Sequence, residues 1–582
     1  MVAEKEIILQ GVAASPSIAI GKVFLFEDYS FSIEQKEIPA KQIDSEIARF
    51  NAAIEKTRAD FKEAYGKINE VLGKNYAKIA SVHLVMLDDP MMHSNVTKKI
   101  KSGINAEYAI FSVFDEIIKS FDAIENEYFK ERKHDIYDVG KKIIANLLGK
   151  HKTALTDISE NSIVVAHNLT PADTVSMREK LVEGFATDIG GKTSHTAIVA
   201  QGLEIPAVVG LRNISSRVKT GDQIVIDGNL GIVILNPSDE TLEKYRKEAK
   251  QQIKRKEELK KLRDLPAQTL DGHLVDIHAN IDNPDEVRSI LNNGATGIGL
   301  YRTEFMYFNR SDMPSAQEHF ENYSKVVRAM TPHATIIRTI DLGGDKLTNL
   351  GLLHMDEEAN PFMGLRAMRL CLKYPDIFID QLNGILRASA FGKIRIMYPM
   401  ISGIEELRAA NKILESVKKD LRSKRIAFDE DIEVGTMIEI PSAAVAIDII
   451  AKETDFVSIG TNDLIQYTLA VDRVNENVAN LYDPLHPSII RLIKMIIDGA
   501  HKAQIKAGMC GEMAGDPFYT PVLLGLGLDE FSVSAAQIPK IKKIVRSITF
   551  AQAKELADGI LASSDRDKAS KLISKIRFEQ EK

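Results

Sequence analysis

Residues 393–400 read KIRIMYPM, and similar short apolar runs follow as EVGTMIEI at 433–440 and FVSIGTND at 456–463. Stretches with helical patterns, such as 404–420 and 487–504, lie next to these runs in the sequence. Each run is long enough for one buried strand and too short for an independent helix. The regular alternation of strand and helix predicts a parallel sheet.

Five further candidate strands extend this alternation in both directions along the chain. They are LVDIHANI at 274–281, GIGLYRT at 297–303, TIIRTIDLG at 335–343, KAGMCGE at 506–512 and EFSVS at 530–534. Eight strand-helix units on one segment are typical of a (β/α)8 barrel. We therefore predict a C-terminal (β/α)8 barrel over residues 266–582.

The first half of the chain has short candidate strands on either side of a helical block. Apolar residues at three- and four-residue spacing predict amphipathic helices in that block. The segments with this pattern are 43–72, 75–87, 105–129 and 131–149. We predict a helical bundle at 36–154, inserted into a mixed α/β domain that is formed by 1–35 and 155–237.

Residues 238–265 are densely charged and rich in helix formers, which predicts a solvated helical linker. The predicted fold class is therefore an α/β multidomain protein. Its parts are a mixed α/β domain with an inserted helical bundle, the helical linker and the C-terminal barrel.

Composition narrows the classes of function. The chain has 582 residues, a formal net charge of −7 and only two cysteines. The negative charge argues against broad nucleic-acid binding, and two cysteines cannot form a disulfide framework. No apolar run approaches the ~18 residues of a membrane-spanning helix, and the first residues lack the pattern of a signal peptide. We expect a cytoplasmic protein that does not insert into membranes.

Charged and polar side chains follow the predicted barrel strands, where the chemistry of such barrels is performed. The residues at these positions are Arg302, Arg338, Lys346, Glu439, Asn462, Asp463, Arg473 and Cys510. Arginine side chains bind phosphate and carboxylate oxygens in pairs. Glu439 and Asp463 offer the oxygen ligands that Mg²⁺ prefers. This inventory suits a small, multiply charged anion that is held together with a divalent metal ion.

Cys510 can give or take a proton beside a reacting carbon, but ordinary structural roles remain open for each of these residues. A lone arginine after a strand commonly makes a surface ion pair. A lone cysteine is more commonly a small core residue, and Glu439 can cap the helix that begins near Pro441. Only the convergence of several such residues on one rim favours the functional interpretation.

The segment GGKTSHTAIVA at 190–200 is the sharpest local feature of the first half. Two glycines permit a tight turn, and Thr193 or Ser194 can cap a helix that begins there. His195 would lie in the first helical turn, where free N–H groups stabilise a phosphate. A neutral imidazole is a competent nucleophile, although a histidine in such a turn is more commonly a hydrogen-bonded structural residue.

The same segment resembles the phosphohistidine motif of enzymes that use phosphoenolpyruvate (PEP). The chain resembles, nearly end to end, enzyme I of the sugar phosphotransferase system. The other matching segments are GIGLYRTEF (297–305), RTIDLGGDK (338–346), NPFMGLRAMR (360–369), ASAFGKIRIMYPM (388–400), GTMIEIPSA (435–443), SIGTNDLIQYTLAVDR (458–473) and GMCGEMAGD (508–516). Several long motifs in the same order are a specific signal, which one short motif would not be.

This resemblance implies a role for each matching residue. His195 would take the phosphoryl group of PEP, with Thr174 as its hydrogen-bond partner, and pass it to a histidine of the carrier protein HPr. Glu439 and Asp463 would bind Mg²⁺, and Cys510 would protonate the enolate to give pyruvate. The residues that would contact PEP are Arg302, Arg338, Lys346, Arg366, Asn462, Asp463 and Arg473. The resemblance also implies that residues 36–154 dock HPr, that 1–35 and 155–237 form the phosphohistidine domain, and that the barrel forms a homodimer.

Other classes of protein fit the sequence less well. A PEP synthase or dikinase needs a nucleotide-binding domain, and we find no Walker-type loop. A nitrogen-regulatory relative carries an added N-terminal sensor domain, for which we expect no room. A non-catalytic scaffold would have lost site residues, and a helical interaction module would leave the chain after residue 266 unexplained.

Overall fold

The computed structural model of this chain describes residues 6–26, 33–72, 82–122, 127–149, 161–169, 177, 182–191, 196–197, 200, 205–308, 310, 312–343, 358, 360–475 and 477–580. The chain forms two compact units, Met1–Arg255 and Lys256–Lys582. Among the described residues, no helix combines the length and the apolar character needed to cross a membrane.

The first unit contains a mixed sheet whose described strands come from both sides of the helical block. They are β1 (Ile7–Gln10), β2 (Val12–Ser15), β3 (Ile18–Phe26), β4 (Ser162–Ala166), β5 (Val182–Thr187), β6 (Ala207–Val209), β7 (Gln223–Asp227) and β8 (Ile232–Leu235). Their order in the sheet is β1-β8-β7-β3-β4-β5-β6-β2. The run from β3 to β6 is parallel, and the other neighbours are antiparallel.

Alternation along β4 explains why this sheet is buried on both faces. Ile163 and Val165 pack into the core on one face, whereas Val164 and Ala166 pack into the core on the other. Successive side chains of a strand point to opposite faces. A strand covered on both faces therefore needs apolar residues at every position.

The helical block forms its own core from amphipathic helices. Its described helices are α1 (Ile43–Leu72), α2 (Val82–Leu87), α3 (Pro90–Lys101), α4 (Ala106–Asp122) and α5 (Glu127–Leu148). Helix α3 was missing from the sequence prediction. It begins with Pro90, and the Asp89 side chain accepts a hydrogen bond from the Met91 amide at 2.8 Å. This cap and the buried Val96 and Ile100 were readable signals for a helix start and an apolar face.

Helix α6 (Asp239–Lys260) covers most of the predicted linker. Its first turns are less solvated than its charge suggested, because Tyr245 is buried and packs with Val225 and Ile234 of the sheet. Leu242 packs against the same cluster, while Ile253 near the other end is exposed. The predicted domain boundaries, including this linker, stay predictions.

The second unit contains a closed barrel of eight parallel strands. They are β9 (Asp276–Ile281), β10 (Ile298–Tyr301), β11 (Thr335–Arg338), β12 (Ile394–Tyr398), β13 (Glu433–Ile438), β14 (Phe456–Ile459), β15 (Lys506–Met509) and β16 (Glu530–Val533). The ring closes where β16 pairs with β9. Each predicted strand occurs in its predicted place, and the α/β multidomain fold class is confirmed.

The described helices of this unit surround the barrel and extend beyond it. They are α7 (Val287–Asn292), α8 (Ala316–Met330), α9 (Ala367–Lys373), α10 (Pro375–Ser389), α11 (Ile404–Ser423), α12 (Pro441–Val445), α13 (Ile447–Ile450), α14 (Thr461–Leu469), α15 (Pro487–Lys502), α16 (Glu512–Gly515), α17 (Thr520–Leu526), α18 (Ile538–Val545), α19 (Phe550–Leu561) and α20 (Arg566–Gln580). Their apolar faces and the outer faces of the strands form one large core.

The strands end earlier than their apolar runs suggested. The prediction carried TIIRTIDLG to residue 343, but β11 ends at Arg338, and β14 ends at Ile459 rather than at 463. The polar residues at the ends of the predicted runs therefore belong to the loops or to the next helix. Strand pairing does not bury them, so their side chains are available at the rim of the barrel.

A close contact between helices gives a test of this packing. A Cβ added to Gly525 in α17 would lie 1.9 Å from the carbonyl oxygen of Ala553 in α19. We expect Gly525→Ala to lower the unfolding free energy of the barrel by about 1–3 kcal/mol, because a packed backbone must shift. Calorimetric unfolding of the full chain measures this change.

The matched control is Gly559→Ala in α19, where the nearest atom, Leu572 Cδ1, would be at an ordinary distance of 3.5 Å. This variant should keep or raise the melting temperature, because alanine favours a helix over glycine. Equal melting temperatures for both variants would contradict the described contact at Gly525.

Candidate active site

One cleft at the carboxyl ends of the barrel strands collects most of the predicted site residues. Its volume is about 730 Å³, which is ample for a small molecule. The predicted residues that line it are Arg302, Arg338, Arg366, Glu439, Asn462, Asp463, Arg473 and Cys510. Residues from distant parts of the sequence thus meet at one rim of the barrel.

The strands place these side chains by a common rule. Arg338 is the last residue of β11, while Arg302, Glu439 and Cys510 each follow directly after a strand. The carboxyl ends of parallel barrel strands lie on one rim. A residue at or just after such an end therefore points into a shared space, whatever its distance along the chain.

Asn462 and Asp463 lie in the first turn of α14, and this helix begins one residue after Gly460. A Cβ on Gly460 would lie 2.6 Å from Glu439 Oε2. Only glycine leaves room there for the Glu439 carboxylate to lie against the end of β14. This close approach brings the two predicted metal ligands to the same side of the cleft.

The buried Arg338 and the partly buried Arg366 form the inner wall of the cleft. Arg338 Nη2 lies 3.0 Å from Glu304 Oε1, and Arg338 Nη1 lies 2.9 Å from Asp341 Oδ2. Arg366 Nη2 contacts Asp341 Oδ1 at 2.8 Å and Asp463 Oδ2 at 3.4 Å. Burial alone would lower the pKa of both arginines, but these carboxylates raise it above its ordinary value. Both guanidinium groups are therefore charged and held in one orientation.

The other two arginines of the cleft, Arg302 and Arg473, are more exposed to solvent. Arg302 Nη1 lies 3.0 Å from Asp282 Oδ1, and Arg473 Nη1 lies 3.9 Å from Glu512 Oε1. Glu512 is also tied to Asn462, because Asn462 Nδ2 donates to Glu512 Oε1 at 3.2 Å and Asn462 Oδ1 accepts from the Glu512 amide at 2.9 Å. The ion pairs of the outer arginines are more exposed to solvent than the inner ones, so the outer arginines can exchange their partners for ligand oxygens.

Glu439 is buried, and the described residues place no cationic group within 4.0 Å of it. Its Oε1 accepts a hydrogen bond from the Met400 amide at 2.7 Å. Burial raises the pKa of Glu439, and the carboxylates of Asp463 and Asp341 raise it further. Burial likewise raises the pKa of Asp463, although the positive charge of Arg366 opposes this.

This pair of carboxylates fits a divalent metal ion that completes its shell with other ligands. The described residues contain no group of three or more His, Cys, Asp or Glu side chains that could hold a metal ion. Mg²⁺ commonly binds through one or two carboxylates, water and substrate oxygens. Glu439 and Asp463 supply oxygen donors of that kind, and a cation between them would relieve their mutual repulsion.

Cys510 is both a core residue and a residue that lines the cleft. It packs in the barrel interior with Leu300 and Met437, and it also lines the cleft. Burial raises the pKa of its thiol to about 11, although the Ser458 hydroxyl and the charge of Arg338 act in the opposite direction. The thiol therefore keeps its proton at neutral pH and can donate it.

Three predicted site residues, Thr174, His195 and Lys346, lie outside the described residues. Next to His195, the Thr196 hydroxyl donates to the Leu169 carbonyl at 2.5 Å. Upstream, Gly190 has a φ of 124°, a backbone conformation that favours glycine. The roles assigned to the three residues stay predictions.

Sequence reasoning assigned no role to the acidic partners of the arginines. Asp282 follows β9 directly, and Asp341 and Glu512 follow β11 and β15 by three residues each. Their position after a strand was a readable signal. Their pairing was not readable, because it joins elements that are distant in the sequence.

Comparison with known proteins covers almost the whole chain. Residues 256–550 match the family model described as "PEP-utilising enzyme, PEP-binding domain", residues 10–132 match "PEP-utilising enzyme, N-terminal", and residues 158–231 match "PEP-utilising enzyme, mobile domain". The phosphoenolpyruvate-protein phosphotransferase of Staphylococcus carnosus (strain TM300) is 44% identical over 566 residues, which are 97% of this chain and 98% of that protein. The chain belongs to the phosphoenolpyruvate-protein phosphotransferase family.

Two further phosphoenolpyruvate-protein phosphotransferases are similar to the same extent. The protein of Priestia megaterium is 44% identical over 97% of this chain and 98% of its own length. The protein of Staphylococcus aureus (strain MSSA476) is 43% identical over 97% of this chain and 99% of its own length. The resemblance to enzyme I is thereby confirmed, and the chain is an enzyme of PEP-dependent phosphotransfer.

The buried ion pairs of this phosphotransferase generate a prediction about stability. We expect Arg338→Gln to lower the unfolding free energy of the barrel by about 3–5 kcal/mol, because Glu304 and Asp341 would lose a buried charged partner. Calorimetric unfolding of the full chain, without ligands, measures the loss.

The control is Arg422→Gln, which removes an arginine that pairs with Glu430 on the exposed surface. Its cost should stay within about 1 kcal/mol, since solvent screens exposed pairs. A loss of the same size for both variants would show that the inner pair contributes no more than a surface pair.

Proposed function

We propose that this enzyme takes the phosphoryl group of PEP onto His195, passes it to a histidine of HPr and releases pyruvate. This reaction is the first step of sugar uptake by the phosphotransferase system. One observation carries the proposal: a single cleft holds four arginines, two neighbouring buried carboxylates and a protonated thiol. These groups match the phosphate and carboxylate of PEP, a divalent metal ion and an enolate that must gain a proton.

The arginines would divide the binding of PEP between them. Arg338 and Arg366 are held in place by their carboxylate partners, so little conformational freedom remains to be lost when they bind an anion. Arg302 and Arg473 are more exposed, and the oxygens of PEP can displace their acidic partners. We assign Asn462 and Lys346 as further contacts, and we place Asp463 beside the substrate.

Glu439 and Asp463 would hold Mg²⁺ next to the substrate. Four arginines face six carboxylates among the described residues that line the cleft. An anionic substrate would therefore meet an excess of negative charge there. Bound Mg²⁺ supplies positive charge, which lowers the free energy of the transferring phosphoryl group.

His195 would act as the nucleophile. Its neutral imidazole nitrogen attacks phosphorus in line with the leaving oxygen, so that an N–P bond forms while the P–O bond of PEP breaks. Thr174 would donate or accept the hydrogen bond that orients the imidazole ring. The electron pair of the broken bond stays on oxygen, and the product that remains in the cleft is the enolate of pyruvate.

Cys510 would complete the reaction as a general acid. The S–H bond breaks and its proton bonds to C3 of the enolate. The π electrons of the C2–C3 double bond form the new C–H bond, and the enolate oxygen becomes the carbonyl oxygen of pyruvate. The remaining thiolate regains a proton from water once pyruvate has left.

Partners and location follow from the same proposal. We assign HPr docking to the predicted bundle at 36–154 and place the enzyme in the cytoplasm. We also propose a homodimer through the barrel unit. Val445, Ile449 and Met495 are exposed apolar residues on α12, α13 and α15, which pack against one another, and exposed apolar surface favours contact with a second copy.

The central test uses PEP that carries radioactive phosphate. With Mg²⁺, the full chain should acquire acid-labile label in a ratio of one phosphate to one chain, because a phosphoramidate bond hydrolyses in acid. His195→Ala should acquire none, and added HPr should remove the label from the unchanged enzyme. Gel autoradiography before and after acid treatment measures each result.

His333→Ala is the matched control, because it also removes a histidine from the chain and should leave labelling unchanged. The assignment of the nucleophile would be overturned if His195→Ala acquired label. It would also be overturned if the unchanged enzyme or His333→Ala acquired none.

The second test separates phosphoryl transfer from protonation. Cys510→Ala should still form phosphohistidine but release pyruvate at least about a hundredfold more slowly, which is the usual contribution of a general acid. A coupled lactate dehydrogenase assay follows pyruvate, and rapid quench follows the label.

Cys371→Ala is the control, since Cys371 is the other buried cysteine and does not line the cleft. Its turnover should match that of the unchanged enzyme. Normal pyruvate release by Cys510→Ala would contradict the role of the thiol.

A further inference from the structure

Cys510, which follows β15, accepts a hydrogen bond from a residue of β9, on the other side of β16. Asn280 Nδ2, at the end of β9, donates to the Cys510 carbonyl oxygen at 3.1 Å. In the barrel, β16 lies between β15 and β9, so this side chain spans a whole strand. Asn280 was not among the residues that the sequence pattern singled out.

The hydrogen bond from Asn280 takes the place of strand pairing at Cys510, because the pairing of β15 with β16 ends before that residue. β15 and β16 pair at Gly508–Glu530 and Met509–Phe531, and the pairing ends before Cys510. The Cys510 amide donates to the Ile459 carbonyl on β14 at 3.3 Å. With Asn280 on its carbonyl, the main chain of Cys510 is therefore fixed on both sides.

The orientation of the Asn280 amide is itself determined. The buried Ser532 hydroxyl donates to Asn280 Oδ1 at 2.6 Å. If the amide were turned over, Oδ1 would face the Cys510 carbonyl, and two acceptors cannot share a hydrogen bond. The side chain of Ser532 has space because residue 299 is a glycine. A Cβ at that position would lie only 2.5 Å from Ser532 Oγ.

The next residue and the thiol have close neighbours as well. A Cβ on Gly511 would lie 2.0 Å from Thr461 Oγ1, so the turn after Cys510 packs directly on the start of α14. The buried Ser458 hydroxyl lies near enough to the thiol to affect it, although it falls short of a well-formed hydrogen bond. The position of the thiol therefore depends on the position of the Cys510 main chain, together with the packing of its side chain against Leu300 and Met437.

We propose that Asn280 is a positioning residue for Cys510, and that it directs the thiol proton to one face of C3 of the enolate. The inference rests on the proposed function, because it assumes that Cys510 is the acid. Asn280 itself touches no reacting atom. It acts through the carbonyl of Cys510, and Ser532 acts through Asn280.

The informative variant is Asn280→Asp. It keeps the size of the side chain, but an ionised carboxylate cannot donate a hydrogen bond and repels the Cys510 carbonyl. We expect pyruvate formation to fall about 10- to 100-fold, as small misplacements of a catalytic group commonly cause. The KM for PEP should change less than about twofold, because no PEP-binding side chain is altered.

The decisive measurement is the steric course of protonation. PEP that carries tritium stereospecifically at C3 is turned over in D₂O by the full chain with Mg²⁺ and HPr. The configuration of the chiral methyl group in pyruvate then reports which face received deuterium. The unchanged enzyme should give one configuration, whereas Asn280→Asp should give a mixture, because enolate that escapes the thiol is protonated by solvent on either face.

Two more variants complete the design. Ser532→Ala keeps Asn280 but frees its amide, so it should show a smaller loss of steric purity in the same direction. Asn293→Asp is the matched control, because Asn293 also donates to a carbonyl, that of Ser289, but lies away from the cleft. It should leave the rate and the steric course unchanged.

One configuration at the normal rate from both Asn280→Asp and Ser532→Ala would overturn the positioning role of Asn280. If Asn280→Asp fails to fold, Ser532→Ala alone decides, and an unchanged steric course would overturn the inference. A mixture from the unchanged enzyme would have a different meaning: it would overturn the proposed role of Cys510 itself.

Discussion

The closure of the barrel is the constraint on which the site depends. Pairing of β16 with β9 joins the end of the second unit to its beginning and makes the carboxyl ends of eight strands one rim. Asn280 and Cys510 are separated by 230 positions in the sequence, yet they share a hydrogen bond because of that closure. Without it, the arginines and the carboxylates would remain on unrelated loops.

The pairing of opposite charges in the cleft is the second organising feature, and it links stability to binding. Asp341 joins Arg338 to Arg366, so the two inner arginines keep fixed positions before a ligand arrives. The same carboxylate adds to the negative charge near Glu439 and Asp463. If Glu439 and Asp463 hold Mg²⁺ as proposed, the cation would offset this negative charge, and anion binding and metal binding would share one electrostatic cause.

The sequence predicted much of this because local patterns and strand ends carry strong signals. The eight barrel strands were predicted in place, since short apolar runs between helical patterns have few alternative folds. Helix α3 was missed although Asp89 and Pro90 marked its start. Asp282 and Asp341 were assigned no role for a different reason: an acidic residue after a strand becomes meaningful only when its arginine partner is known.

The sequence by itself determined the fold class, the rim on which the proposed site lies and the family, because these depend on periodicity and on motifs within short segments. The tertiary structure alone decided which carboxylate holds which arginine, how deeply Cys510 is buried, and that Asn280 reaches its carbonyl. Such facts depend on distances between elements that are remote in the chain. Electrostatic and hydrogen-bond energies fall steeply with those distances, and no local pattern contains them.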